Sequence, residues 1–93
     1  MAIRVFIERE IEHGNENRLN QLLMELRSKA LRAKGYISGE TLRLLDHPDT
    51  FLVISTWATL EDWKNWEASE DRRRGMDELK PLLRAEKTSV YTY

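Results

Sequence analysis

The order of hydrophobic periods along this chain predicts an α+β domain, β-α-β-β-α-β, with its second helix split in two. Three observations carry that reading. Alternating apolar residues open and close the chain. A stripe at helical spacing follows the first alternation. Two strand-like runs joined by a proline turn then lead into a second, punctuated helical stretch.

Ile3, Val5, Ile7 and Ile11 occupy odd positions with Arg4, Glu8 and Glu10 between them, the period-two pattern of a strand buried on one face. Phe6 adds a large apolar group to the opposite face. His13-Gly14-Asn15 stops the strand, and Asn15 or Asn17 supplies a cap for the next helix. Leu19, Leu22, Leu23, Leu26, Ala30 and Ala33 then recur at helical spacings, a single stripe over Glu16 to Lys34. Arg18, Gln21, Glu25, Arg27, Lys29 and Arg32 fill the other side, and Gly35 reads as the left-handed residue that ends the helix.

Tyr36 to Leu45 and Phe51 to Trp57 predict a hairpin around Asp46-His47-Pro48-Asp49-Thr50, where Pro48 presets φ for the second position of a type I turn. In the second run Phe51, Val53, Ser55 and Trp57 point one way while Leu52, Ile54 and Thr56 point the other. Both faces are substantially apolar, so both need cover. Thr59 with Asp62 resembles a capping box ahead of a short helix that carries Leu60, Trp63 and Trp66 on one side. Ser69, followed by Glu70 and Asp71, reads as a second N-cap. The apolar side of that last helix runs Met76, Leu79, Leu82 and Leu83, with Pro81 weakening it, and Lys87 to Tyr93 alternates as the final strand.

Composition removes several function classes. Fifteen Lys plus Arg against 16 Asp plus Glu leave a net charge of −1 over 93 residues, without the basic footprint of a nucleic-acid binder. Cysteine is absent, which excludes disulfides, a thiolate nucleophile and Cys-ligated metal. No apolar run approaches the roughly 18 residues of a membrane span, and the acidic, alternating N-terminus is unlike a secretory signal. The expectation is one domain over residues 1–93, soluble and cytoplasmic, with no nucleic-acid or membrane partner. Phosphate-binding glycine loops, nucleophile elbows and zinc-protease motifs are all missing.

Four strands in this order form a ferredoxin-like sheet with both helices on one face. Phe6 and one apolar set of the third strand would then face water, which predicts a homodimer closed through the open sheet face. Three stretches make the likeness to a family specific: Gly35-Tyr36-Ile37-Ser38-Gly39-Glu40, the strand end Ile54-Ser55-Thr56-Trp57, and Leu60-Glu61-Asp62-Trp63-Lys64-Asn65-Trp66. In these the chain resembles the antibiotic biosynthesis monooxygenase (ABM) family. The resemblance implies a dimeric α+β barrel and cofactor-independent oxygenation of a planar phenol or quinol, with no metal or flavin. The alternative is a non-catalytic ligand-binding or stress-associated barrel dimer that lacks the oxygenase residues.

The resemblance carries over residue by residue. A strand-end Trp that helps define the family's pocket matches Trp57, and the aromatic six positions on is Trp63 here, where the oxygenases have Tyr. Their charge-stabilising Asn, four residues before that Trp, is replaced by Val53. In the haem-degrading branch an axial His follows the Trp matched by Trp66 by ten residues, where this chain has Met76. That branch also has an Asn in the first strand, near Ile7 and Glu8 here, so haem ligation is not expected. Trp57, Trp63, Trp66 and Tyr36 are the candidate substrate-binding residues, a planar slot with no catalytic base assigned, although core packing would use the same side chains. Leu22 and Leu26 are available from the first helix to the same slot. His13 and His47 read as solvated loop residues and form no metal-ligand spacing. Arg72, Arg73 and Arg74 could grip an anion, but Glu67, Glu70 and Asp71 balance them as a solvated face.

Overall fold

The alternation of the first strand sets the architecture. In the computed structural model, which describes residues 1–93, β1 (Ile3–Ile11) lies inside the sheet with β3 (Thr50–Trp57) on one side and β4 (Leu83–Thr92) on the other. β2 (Tyr36–Arg43) pairs with the outer edge of β3, giving the antiparallel order β2-β3-β1-β4. Between strands run α1 (Glu16–Ala30), then α2 (Leu60–Glu67) and α3 (Glu70–Leu79), with a 3-10 turn at Lys80–Leu82. This is the ferredoxin-like α+β fold, with the second helix split as its caps predict.

Register puts the two apolar sets on the same side. Ile3 lies opposite Trp57, Val5 opposite Ser55, Ile7 opposite Val53 and Arg9 opposite Phe51. Directly opposed residues share a face, so one face carries all of them to the helices. There the core divides. One cluster joins Ile3, Val5 and Ile7 to Trp57, Ala30, Trp63 and Trp66. The other joins Ile11, Leu19, Leu22, Phe51, Met76 and Leu79. Arg9 sits between them on β1, 2% exposed.

The caps form where hydroxyls were placed for them. Thr59 Oγ1 accepts from the Asp62 amide at 3.1 Å, and Ser69 Oγ from the Arg72 amide at 3.2 Å. Asn15 occupies the cap position of α1 but its side chain makes no capping bond, and Asn17 lies within the helix. The hairpin turn closes around Pro48 as expected, Thr50 N donating to His47 O at 2.9 Å.

Three boundaries move. α1 ends at Ala30, not Lys34, because the amides of Arg32 and Ala33 bond three residues back and tighten the chain into a descent onto the sheet. Gly35 therefore serves that descent instead of the helix end: its φ is +84°, and its carbonyl accepts from Ala58 N at 2.7 Å. β2 stops at Arg43, leaving Leu44 and Leu45 in the exposed turn. β4 begins at Leu83, four residues before Lys87. Pro81 breaks the helix there, and Leu83 pairs with Ile11 across a register shift while both Leu82 and Leu83 keep contact with the aliphatic cluster.

The far side of the sheet has no helix over it. Phe6 meets Tyr91 edge-on at 5.0 Å between centroids, with the Arg4 guanidinium 5.4 Å from the Phe6 ring. Leu52 and Ile54 of β3 lie opposite Glu8 and Phe6 on the same face.

Candidate functional site

The aromatic residues converge because a short connection, Ala58-Thr59, turns the end of β3 directly into α2. Trp57, 1% exposed, is the centre. Tyr36, opposite it on β2, meets it edge-on at 5.2 Å and 86°. Trp63 meets it at 5.8 Å and 60°, and Trp66 lies near-parallel at 6.3 Å and 25°. Trp57 Nε1 donates to Ser55 Oγ at 3.1 Å, so the hydroxyl that would otherwise be an orphan satisfies the buried indole.

All four candidates line one cavity of about 70 Å³ between sheet and helices. Leu26 and Val53 complete its apolar wall, whereas Leu22 packs in the aliphatic cluster and does not reach it. The indoles therefore fill much of the space that the aromatic pattern suggested as a slot. A cavity of roughly 150 Å³ accommodates benzene, so a fused ring system enters only as the rim moves. Across the rim, Arg27, exposed on α1, donates to the Gly39 carbonyl on β2 at 2.5 Å, a contact that an entering ring must displace.

Three arginines line the cavity, and none was assigned to it from sequence: Arg9, Arg27 and Arg72. Arg9 projects from the buried face of β1, donating through Nε to Glu86 at 2.7 Å and through Nη2 to Met76 Sδ at 3.7 Å. Arg72, read with its neighbours as solvated, turns inward instead, its guanidinium 5.4 Å from the Trp63 ring. Burial, then the adjacent Arg9 cation, holds Arg72 below the ordinary arginine value, with Glu86 and Glu67 opposing that shift. Arg73 and Arg74 do face solvent, paired with Glu70 and Asp77.

Two of the three, Arg9 and Arg72, left a signal. The β1 alternation of positions 3, 5, 7 and 11 makes position 9 inward-facing, and Arg72 precedes Met76 by four residues on the inward stripe of α3. The histidines stay outside the cavity. His47 lies in the hairpin turn, and His13 is exposed with Glu16 at 3.9 Å and Asp49 at 3.8 Å. These three side chains bring their ligand atoms within 4.8 Å of one another at the surface, a proximity that sequence spacing did not indicate.

A sequence profile described as antibiotic biosynthesis monooxygenase matches residues 2–78. Among solved structures, a conserved protein from Methanosarcina mazei superposes with a TM-score of 0.92 at 17% identity, covering 98% of this chain and 91% of that one. SnoaB, a cofactor-independent oxygenase from Streptomyces nogalater, superposes at 0.88 and 16% identity, over 100% of this chain and 94% of its own. At these identities the likeness is one of fold. A comparison with curated proteins finds no significant match.

Proposed function

The chain belongs to the antibiotic biosynthesis monooxygenase family, and from that premise we propose that it is a cofactor-independent monooxygenase of planar, phenol- or quinol-type aromatics. The observation that carries the reading is the convergence of Tyr36, Trp57, Trp63 and Trp66 on one wall of a cavity between sheet and helices. In this chemistry the substrate loses a proton and its carbanion supplies the electrons that reduce O2. The protein's part is to exclude water, align the ring and stabilise the anion. Aromatic walls align a planar ring by offset or edge contact, worth about 0.5–1.5 kcal/mol per pair beyond burial.

The working unit in this reading is a homodimer. Phe6, Leu52, Ile54 and Tyr91 give the helix-free sheet face an apolar centre, and a second copy covers it by two-fold symmetry. No helix is long and apolar enough to cross a membrane.

A binding-only reading has one specific observation behind it. Val53 lines the cavity where the sequence resemblance expects a polar side chain, and it offers no hydrogen bond to a developing oxyanion. Oxygen uptake decides between the two. The protein is incubated aerobically with anthrones, naphthols and quinols, without added cofactor. Protein-dependent uptake that disappears on substitution of Trp57 supports the oxygenase. Ligand binding without uptake across the panel leaves the binding dimer.

A further inference from the structure

The cavity is aromatic by sequence pattern but cationic by structure, and its cations are incompletely paired. Arg9 is 2% exposed, so its charge is held where an unpaired ion is expensive. One edge is matched by Glu86, while the other is left with Met76 Sδ, a weak acceptor. Arg72 makes no salt bridge, and its guanidinium donates to no protein group. Its planar head is half-buried over Trp63, oriented by stacking instead of by a carboxylate. Arg27 adds a third cation at the rim, bonded to the Gly39 carbonyl. The cavity lining itself holds these three arginines and one carboxylate, Glu40, while Glu86 and Glu67 act on Arg72 from outside it.

We propose that this cavity takes its ligand as an oxyanion, a planar aromatic carboxylate or phenolate whose charged oxygen is bound by Arg72, with Arg9 behind it, while the ring lies against Trp63 and Trp57. The inference rests on the aromatic cavity being the ligand site. It goes beyond the oxygenase reading by naming the charge state in which the ligand binds. The bound oxygen replaces solvent at the Arg72 guanidinium, which has no protein acceptor, and the ligand's charge offsets the repulsion between two neighbouring guanidiniums. Glu86 competes for Arg9, so it sets the strength of the site against incoming anions.

Calorimetric titration of the whole chain with naphthoate and its neutral isostere naphthamide tests this near neutral pH. Naphthoate binds about tenfold or more tighter than naphthamide, the worth of a charge-assisted hydrogen bond in a partly buried site. Arg72→Gln removes that preference and leaves naphthamide affinity within about twofold, because the ring contacts remain. Glu86→Gln tightens naphthoate several-fold, a gain that a merely structural ion pair would not produce. Naphthol titrated below and above its own ionisation distinguishes the sources. Affinity that rises with ionisation identifies phenolate as a ligand; affinity that stays flat while naphthoate binds restricts the site to carboxylates.

Equal affinity for naphthoate and naphthamide overturns the proposal. So does an equal loss of both on Arg72→Gln, or no naphthoate binding at about 1 mM, the weak limit of specific recognition. Oxygen uptake is scored separately. Anion preference without uptake sustains this inference and sinks the oxygenase, and uptake on neutral quinols without anion preference does the reverse.

Discussion

Gly35→Ala is expected to destabilise the fold by about 1–4 kcal/mol, through two separable causes. The first is backbone. Gly35 has φ +84°, and the left-handed region carries a penalty of about 1–2 kcal/mol for an L-residue. The second is contact. A Cβ at this position would overlap the carboxylate of Asp62, which is itself buried at 8% exposure. Relieving such an overlap in a packed site costs about 1–3 kcal/mol. Alanine also restricts the unfolded chain, which offsets about 0.4–1 kcal/mol of the total.

An Asp62→Gly background, which removes the Cβ as well as the carboxylate that a Cβ at Gly35 would meet, separates the two causes. Asp62 supplies its backbone amide, not its carboxylate, to the Thr59 cap, so the cap survives that change. In this background Gly35→Ala should lose only the backbone part, about 1 kcal/mol. Urea unfolding of the four proteins of this cycle reads both numbers. With a slope of roughly 1 kcal/mol per molar, the single variant lowers the midpoint by about 1 M or more. A loss below about 0.5 kcal/mol, or the same loss in both backgrounds, would refute the reasoning, since coupled neighbours must be non-additive. The consequence reaches the site. Gly35 O binds the Ala58 amide and precedes Tyr36, so a shifted turn moves the Tyr36 ring off Trp57.

Three further outcomes are expected. Phe6→Asp places an unpaired carboxylate on the helix-free sheet face and should shift a micromolar dimer to monomer in sedimentation equilibrium; a wild-type species of 11.0 kDa would remove the dimer altogether. Trp63→Phe keeps an aromatic core residue but shortens the platform beneath Arg72, and should weaken a confirmed planar ligand by about 2–10-fold, one aromatic contact's worth. Unchanged affinity with the fold retained would show that the slot is core. Glu70 lies below its ordinary carboxyl value of 4.5, chiefly through the hydrogen bond from Arg73. Its stabilisation is therefore present above that value and is lost as pH falls through the lower folded one. Glu70→Gln should flatten stability against pH on the acid side, and a profile parallel to wild type there would contradict the assignment.

The elements were legible wherever the signal was local. The alternation of Ile3, Val5 and Ile7, the hydroxyls of Thr59 and Ser69 ahead of acidic residues, and Pro48 in the hairpin turn each act within a few residues. Each appears in the structure. Boundaries slipped where a distant partner won. Leu83 carries helical spacing from Met76 and Leu79, yet it begins a strand because Ile11, 72 positions away, offers it a ladder partner. Gly35 looked like a helix terminator because only its conformation could be read, and the Asp62 carboxylate it makes room for comes from another element.

The candidate site divides the same way. The sequence by itself determined that Trp57, Trp63 and Trp66 lie at one end of the domain, because a two-residue connection ties β3 to α2. It also determined that one strand face carries a charge inward, since the side-chain period of β1 leaves Arg9 no other direction. Only the tertiary structure decided what those side chains meet. Glu86 meets Arg9 from the neighbouring β4, Met76 meets it from α3, and Arg72 leaves its exposed neighbours to lie over Trp63. Periodicity assigns a face to each residue, because backbone geometry repeats along the chain. Which charges share a cavity depends on register and helix docking between residues far apart in sequence, and no local period encodes that.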